Sequence, residues 1–309
     1  MSMTIASAER MDRRAFAKRM TGAAVASMLL GQDAPAEKHT STDASSVPFK
    51  FSVMLWTVYR DLPFEQRLEK VAEAGYRAVE LVDEFKKWSA GDFREANARK
   101  RSLGIAFDAT AGVKHGLADP RARDAFLVDL KKLVPIATEL ECPGIIVLSG
   151  DVVPGLSKPE QHESCVEGLK RAADVVSRSG ITILLENIDP EENPRYYLTS
   201  AAEGFEIVRR VDNPQVKFLY DFYHEQIAEG NLIKKLEKDV GLIGLVHVAD
   251  VPGRHAPGTG EINYSNIFRK LAELKYNGYV AMEFIPMADA VVELKEAREL
   301  ALRSVDRHG

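Results

Sequence analysis

The chain has 309 residues, 45% of them hydrophobic, enough to bury a large core as two ordinary domains or one barrel of about 250 residues. No run approaches the roughly 20 apolar residues of a membrane span, and a formal net charge of −5 argues against a surface built to grip nucleic-acid phosphates. The two cysteines, Cys142 and Cys165, stand apart from every polar cluster and read as buried thiols.

The N-terminus reads as an address. Asp12-Arg13-Arg14-Ala15-Phe16-Ala17-Lys18 precedes a mildly apolar run over residues 20–30 and then Ala34-Pro35-Ala36, which has the small-x-small form of a cleavage site. A basic region, a short hydrophobic region and a small-residue exit describe an export signal. The adjacent arginines resemble those of twin-arginine signals, so residues 1–36 are expected to direct export to the periplasm; without a working signal the chain would stay cytoplasmic. Residues 37–48, rich in Ser and Thr with no apolar period, are expected to tether this signal to a domain over 49–309.

From Phe49 onward short apolar runs alternate with longer helical patterns. Strands are predicted at residues 51–56, 78–81, 105–109, 144–148, 181–186, 216–221, 243–248 and 279–284. Helices are predicted between them, at 63–74, 92–103 and 120–140 among others; the last of these places Phe126, Leu130, Leu133, Ala137 and Leu140 on one face. Ser200 through Glu203 fits a capping box opening the fifth helix, and Gly104 and Gly180 stand where helix C-caps are expected. Continuous apolar strands alternating with amphipathic helices call for a parallel sheet covered by helices. Eight such units in one domain predict an α/β fold closed as a (β/α)8 TIM barrel. An open doubly wound sheet is the competing architecture, but no glycine-rich phosphate fingerprint follows the first strand.

In such a barrel the active site lies at the C-terminal ends of the strands. Four consecutive predicted strands end on a metal-competent side chain: Glu186, Asp221, His247 and Glu283. Each alone reads as a rim residue or a satisfied core histidine. Together, three carboxylates converging in a partly buried place would repel one another unless a cation lay between them. Three oxygen donors and one imidazole suit Mn²⁺ or Mg²⁺, with Co²⁺ also compatible, better than a structural zinc site. Glu186 and Glu283 come from strands that flank the other two. They can therefore approach a substrate from opposite sides, as needed to take a proton from one carbon and return it to its neighbour. After His247 the chain breaks into a Gly/Pro-rich loop carrying Arg254, whose planar fork suits a substrate carboxylate. His224 and His255 are candidates for substrate hydroxyl contacts.

The run from Ala249 through Asn263, Ala-Asp-Val-Pro-Gly-Arg-His-Ala-Pro-Gly-Thr-Gly-Glu-Ile-Asn, resembles the signature of hydroxypyruvate isomerases within the xylose isomerase-like barrel superfamily. Asp221-Phe222-Tyr223-His224 and Leu185-Glu186-Asn187 are similar to that family's other landmarks. The resemblance implies a metal-dependent isomerase interconverting hydroxypyruvate and tartronate semialdehyde, with Glu186 and Glu283 as proton donor and acceptor and Asp221 and His247 completing the metal site. It also implies a small carbonyl or sugar substrate as the partner, and allows a homo-oligomer. His247 departs from the isomerase pattern, which commonly has Gln there, and matches the related ketose epimerases. An exported ketose 3-epimerase or aldose–ketose isomerase is accordingly the alternative, while an endonuclease IV-type repair enzyme and a non-catalytic sugar-binding barrel are more remote ones.

Overall fold

The computed structural model describes residues 47–306. The expected export signal and the tether up to Ser46 lie outside the described residues. Eight parallel strands close into a barrel in chain order, β1 (Lys50–Met54), β2 (Ala78–Leu81), β3 (Ala106–Thr110), β4 (Gly144–Leu148), β5 (Thr182–Glu186), β6 (Val216–Asp221), β7 (Ile243–Val248) and β8 (Tyr279–Met282), with β8 pairing back onto β1. The helices around it are α1 (Phe64–Glu73), α2 (Ala90–Leu103), α3 (Arg123–Glu139), α4 (Lys158–Val176), α5 (Ala201–Val211), α6 (Phe222–Ala228), α7 (Leu232–Asp239), α8 (Tyr264–Glu273) and α9 (Ala290–Asp306). No helix among the described residues is long and apolar enough to cross a membrane.

Strand side chains alternate between two packed surfaces, which is why these strands read as unbroken apolar runs. Those facing outward join the helices in one large core that includes Phe107, Ile183, Phe218 and Val246. Those facing inward form a second, smaller cluster of Met54, Ala109, Ile146, Leu184, Leu219, Leu245 and Ala281. Four members of this inner layer stand two residues before Glu186, Asp221, His247 and Glu283. The period of two therefore points those four side chains into the barrel above an apolar floor.

Several boundaries differ from the sequence expectation for local reasons. β1 ends at Met54, and Trp56 lies in a 3-10 turn, Leu55–Thr57, whose Thr57 Oγ1 donates to Met54 O at 2.9 Å. β8 ends at Met282, although Glu283 N still donates to Val248 O at 3.0 Å. The stretch predicted as one helix over 120–140 opens as a 3-10 turn, Pro120–Ala122, because Asp119 and Pro120 fix a tight start. Gly104 caps α2 in the left-handed region (φ 64°), whereas α4 ends at Val176, so Gly180 closes the following turn instead. Ser200 accepts from Glu203 N at 3.4 Å, but only half of a capping box forms. The Glu203 carboxylate is drawn instead to Lys158 Nζ and Tyr197 Oη, both at 2.8 Å. Cys142 and Cys165 are free and buried, and burial pushes both thiols up.

Helix α5 packs on β6 at Gly204, which presents no side chain to the strand. A Cβ there would lie 2.2 Å from Cε2 of Phe218, a fully buried ring packed on Phe205 at 4.6 Å. Overpacking of this kind costs about 1–3 kcal/mol, against a gain of about 1 kcal/mol when Gly becomes Ala in a helix. Gly204→Ala is expected to lower the melting temperature, and an unchanged or raised melting temperature would show that α5 can move away freely.

Candidate metal centre and active site

Strand register builds the site. Asp221 pairs with His247 across β6 and β7, His247 pairs with Ala281 across β7 and β8, and Glu186 pairs with Leu219 across β5 and β6. Glu186, Asp221, His247 and Glu283 are all buried, and each offers one ligand atom such that all four atoms lie within 4.8 Å of one another. His247 Nδ1 is the centre of the group, 2.6 Å from Glu283 Oε2, 3.5 Å from Glu186 Oε1 and 3.9 Å from Asp221 Oδ2.

The donor chemistry fits a cation. His247 Nδ1 and Glu283 Oε2 are buried and close, yet neither makes a hydrogen bond of acceptable geometry. Buried polar atoms are seldom left so, because each would cost about 1–3 kcal/mol. They lie within 4.8 Å of ligand atoms of Glu186 and Asp221, the close grouping of donors that a divalent ion requires.

The charges of the group act on one another at close range. Burial raises the Glu186 carboxyl above its usual range, partly offset by His247. Burial would raise Glu283 too, but Arg254 and His247 outweigh it and hold this carboxyl well below the usual range. For His247 burial favours the neutral ring, and the carboxylates of Glu80 and Glu283 more than reverse that, raising it well above its ordinary value.

Arg254, in the left-handed region at φ 58°, is buried beside the cluster. Its Nη2 lies 2.7 Å from Glu283 Oε2 and 3.3 Å from Asp221 Oδ2, and its Nε donates to Glu283 O at 3.2 Å. The guanidinium is held between the rings of Tyr223, at 4.7 Å, and Trp56, at 5.5 Å. Its Nη1 faces Glu192 Oε1 at 2.9 Å, and Glu192 is 42% exposed, the one partner here that solvent reaches easily. His224 is also brought in. Its Nε2 is 3.4 Å from Asp221 Oδ2 and 3.3 Å from Arg254 Nη1, while Nδ1 is 2.6 Å from Asp189 Oδ2. Burial would lower His224, but Asp221 and Asp189 raise it to about 9. His255 is not part of this group: its Nδ1 is 2.9 Å from Ile285 O, and the side chain packs over Gly253.

Three contributors escaped the sequence reading. Trp56 Nε1 donates to Glu283 Oε1 at 2.7 Å. Glu80 on β2 is fully buried, and its two carboxylate oxygens lie 3.1 and 3.0 Å from His247 Nε2. Asp108 on β3 is buried as well and accepts from Ser52 Oγ at 2.7 Å. Both acids interrupt short apolar strands, Ala-Val-Glu-Leu and Ala-Phe-Asp-Ala-Thr, and a charge inside a strand covered on both faces is the signal that could have found them.

The family described as xylose isomerase-like TIM barrel matches residues 68–304. A 2-oxo-tetronate isomerase from Haemophilus influenzae is 33% identical over 251 residues, spanning 79% of this chain and 96% of the relative. The hydroxypyruvate isomerase of Escherichia coli is 29% identical over 253 residues, spanning 80% of this chain and 97% of the relative. Among solved structures, an AP endonuclease, family 2, from Brucella melitensis superposes with a TM-score of 0.74 at 27% identity, covering 81% of this chain and 98% of that one. With the family match running from α1 into α9, and named isomerases aligning over most of the chain, the protein is an isomerase of the xylose isomerase-like TIM barrel family.

Proposed function

We propose that the protein interconverts hydroxypyruvate and tartronate semialdehyde, or a close relative of that pair, by proton transfer between adjacent carbons. The observation that carries this reading is the buried guanidinium of Arg254 set directly beside the Glu186–Asp221–His247–Glu283 cluster. A carboxylate on the substrate can take over the Arg254 Nη1 edge from the exposed Glu192, which places the neighbouring carbonyl and hydroxyl carbons among the glutamates. The names of the two relatives support the same substrate class, since hydroxypyruvate and 2-oxo-tetronate are both 2-oxo acids with a hydroxyl on the next carbon.

Glu186, Asp221, His247 and Glu283 would hold a divalent ion, and the oxygen-rich set suits Mn²⁺ or Mg²⁺, with Co²⁺ compatible. When bound, such an ion supplies charge stabilisation for the substrate's two oxygens. One glutamate takes the C3 proton of hydroxypyruvate, giving an ene-diolate. The other delivers a proton to C2, and the hydroxyl proton passes from O3 to O2, so atoms balance with no oxidant or reductant. Arg254 fixes the carboxylate, and Trp56 holds one Glu283 oxygen. The Arg13-Arg14 pair and the apolar run after it support export of the folded chain to the periplasm.

The test is turnover of purified protein on hydroxypyruvate, 2-oxo-tetronate and a ketose panel, before and after chelation. The expected result is turnover of the 2-oxo acids that chelation abolishes and Mn²⁺ restores. Activity indifferent to chelator would sink the proposal. Turnover of ketoses alone would transfer it to the epimerase reading that the imidazole of His247 favours.

A further inference from the structure

His247 presents its two ring nitrogens to opposite sides. Nδ1 faces Glu186, Asp221 and Glu283, and Nε2 faces Glu80. Glu80 arrives from β2, three strands around the closed barrel from β7, so no local sequence relation enforces the meeting. Its carboxylate is 0% exposed, and both oxygens stand at nearly equal distances from Nε2, 3.1 and 3.0 Å. Two carboxylate oxygens set this evenly around one ring nitrogen are placed to accept the Nε2 hydrogen. A ring held that way presents Nδ1 to the three carboxylates.

We propose that Glu80 is a positioning residue for the metal centre: by holding the Nε2 hydrogen it fixes the ring orientation and the tautomer in which His247 Nδ1 is a ligand. This rests on the metal reading of the Glu186–Asp221–His247–Glu283 cluster and not on the substrate. A buried pair serving stability alone would behave differently: losing one partner would destabilise the fold and leave the metal affinity of the folded chain unchanged, whereas loss of an acceptor behind a ligating histidine weakens metal binding about 10–100-fold. The contact also gives a role to an acid standing in an otherwise apolar strand, Ala78–Leu81, where desolvation works against it.

The experiment is Mn²⁺ binding, followed by electron paramagnetic resonance, to wild type, Glu80→Gln, His247→Asn and the double variant, each checked for the barrel fold by circular dichroism. Glu80→Gln keeps the volume and is expected to bind Mn²⁺ about 10–100-fold more weakly than wild type. In the His247→Asn background the same change is expected to shift affinity by less than about twofold, because Glu80 acts through the ring. Wild-type affinity in Glu80→Gln overturns the inference, and so does a full loss that persists when His247 is gone. Should Glu80→Gln fail to fold, Glu80→Asp withdraws the carboxylate from Nε2 while keeping its charge, and undiminished affinity there overturns it equally. A wild-type chain that binds no Mn²⁺ defeats the metal reading along with it, whereas failure on every substrate leaves this measurement intact.

Discussion

Glu186→Gln and Glu283→Gln are each expected to lower kcat on hydroxypyruvate by about 10²–10⁴-fold, the span usual for losing a positioned acid or base. Both side chains are buried and both reach the same imidazole nitrogen, at 3.5 and 2.6 Å, so either change also touches the candidate metal site. Gln keeps one oxygen to serve as a ligand, which makes the two contributions separable. If a glutamate were only a ligand, the fall in turnover would follow the fall in Mn²⁺ affinity and vanish at saturating metal. If it moves a proton, the fall persists at saturation. Exchange with deuterated solvent sharpens this further, because an enzyme left with one glutamate can still wash a carbon-bound proton of its substrate into solvent without completing the isomerisation. Near-normal turnover in either metal-saturated variant would end the two-glutamate mechanism.

The parts of the site that could be read from the chain were those built by repetition. Leu184 and Glu186, Leu219 and Asp221, Leu245 and His247, Ala281 and Glu283 share one spacing, an inward apolar residue and then an inward candidate ligand, and the barrel needs no more than strand period and register to assemble them. Glu80 and Asp108 belong to the same interior but lie below the rim, on strands whose ends carry nothing comparable, so inspection of strand ends passes over them. Trp56 was hidden differently. It follows β1 in a 3-10 turn, and only that turn brings its indole to Glu283, 227 positions away in the chain. His255 shows the reverse case, a residue inside an informative motif whose ring is taken by the backbone of Ile285, because the loop folds it outward beside Gly253. The twist of a loop decides such outcomes, and period alone carries no information about it.

That loop has its own organiser, and removing it is the second large effect expected. Asp250 is 0% exposed and accepts four backbone hydrogens: Val251 N at 2.9 Å and Ile262 N at 3.0 Å on Oδ1, Gly258 N at 2.8 Å and Gly260 N at 2.9 Å on Oδ2. Its own N–H donates to His255 O at 2.8 Å, closing the turn that holds Arg254 in the left-handed region. Gly260 allows the strand of loop to pass this close, since a Cβ there would meet Val251 O at 2.0 Å. Without the carboxylate, Ile262 N stays buried with no acceptor and the glycine amides turn to water, each buried loss costing about 1–3 kcal/mol. Asp250→Ala is therefore expected to lower the melting temperature by roughly 5–10 °C and, because Arg254 loses its place beside Glu283, to reduce kcat/KM about 10²-fold, the scale of a misplaced substrate-holding group. Asp250→Asn is the sharper case. It keeps the volume, but its amide turns donors toward two of the backbone hydrogens, so shape alone cannot rescue the loop. Differential scanning calorimetry and steady-state kinetics on both variants measure the effect. Wild-type stability and turnover in Asp250→Asn would mean that the Gly-rich sequence, not the buried carboxylate, sets the position of Arg254.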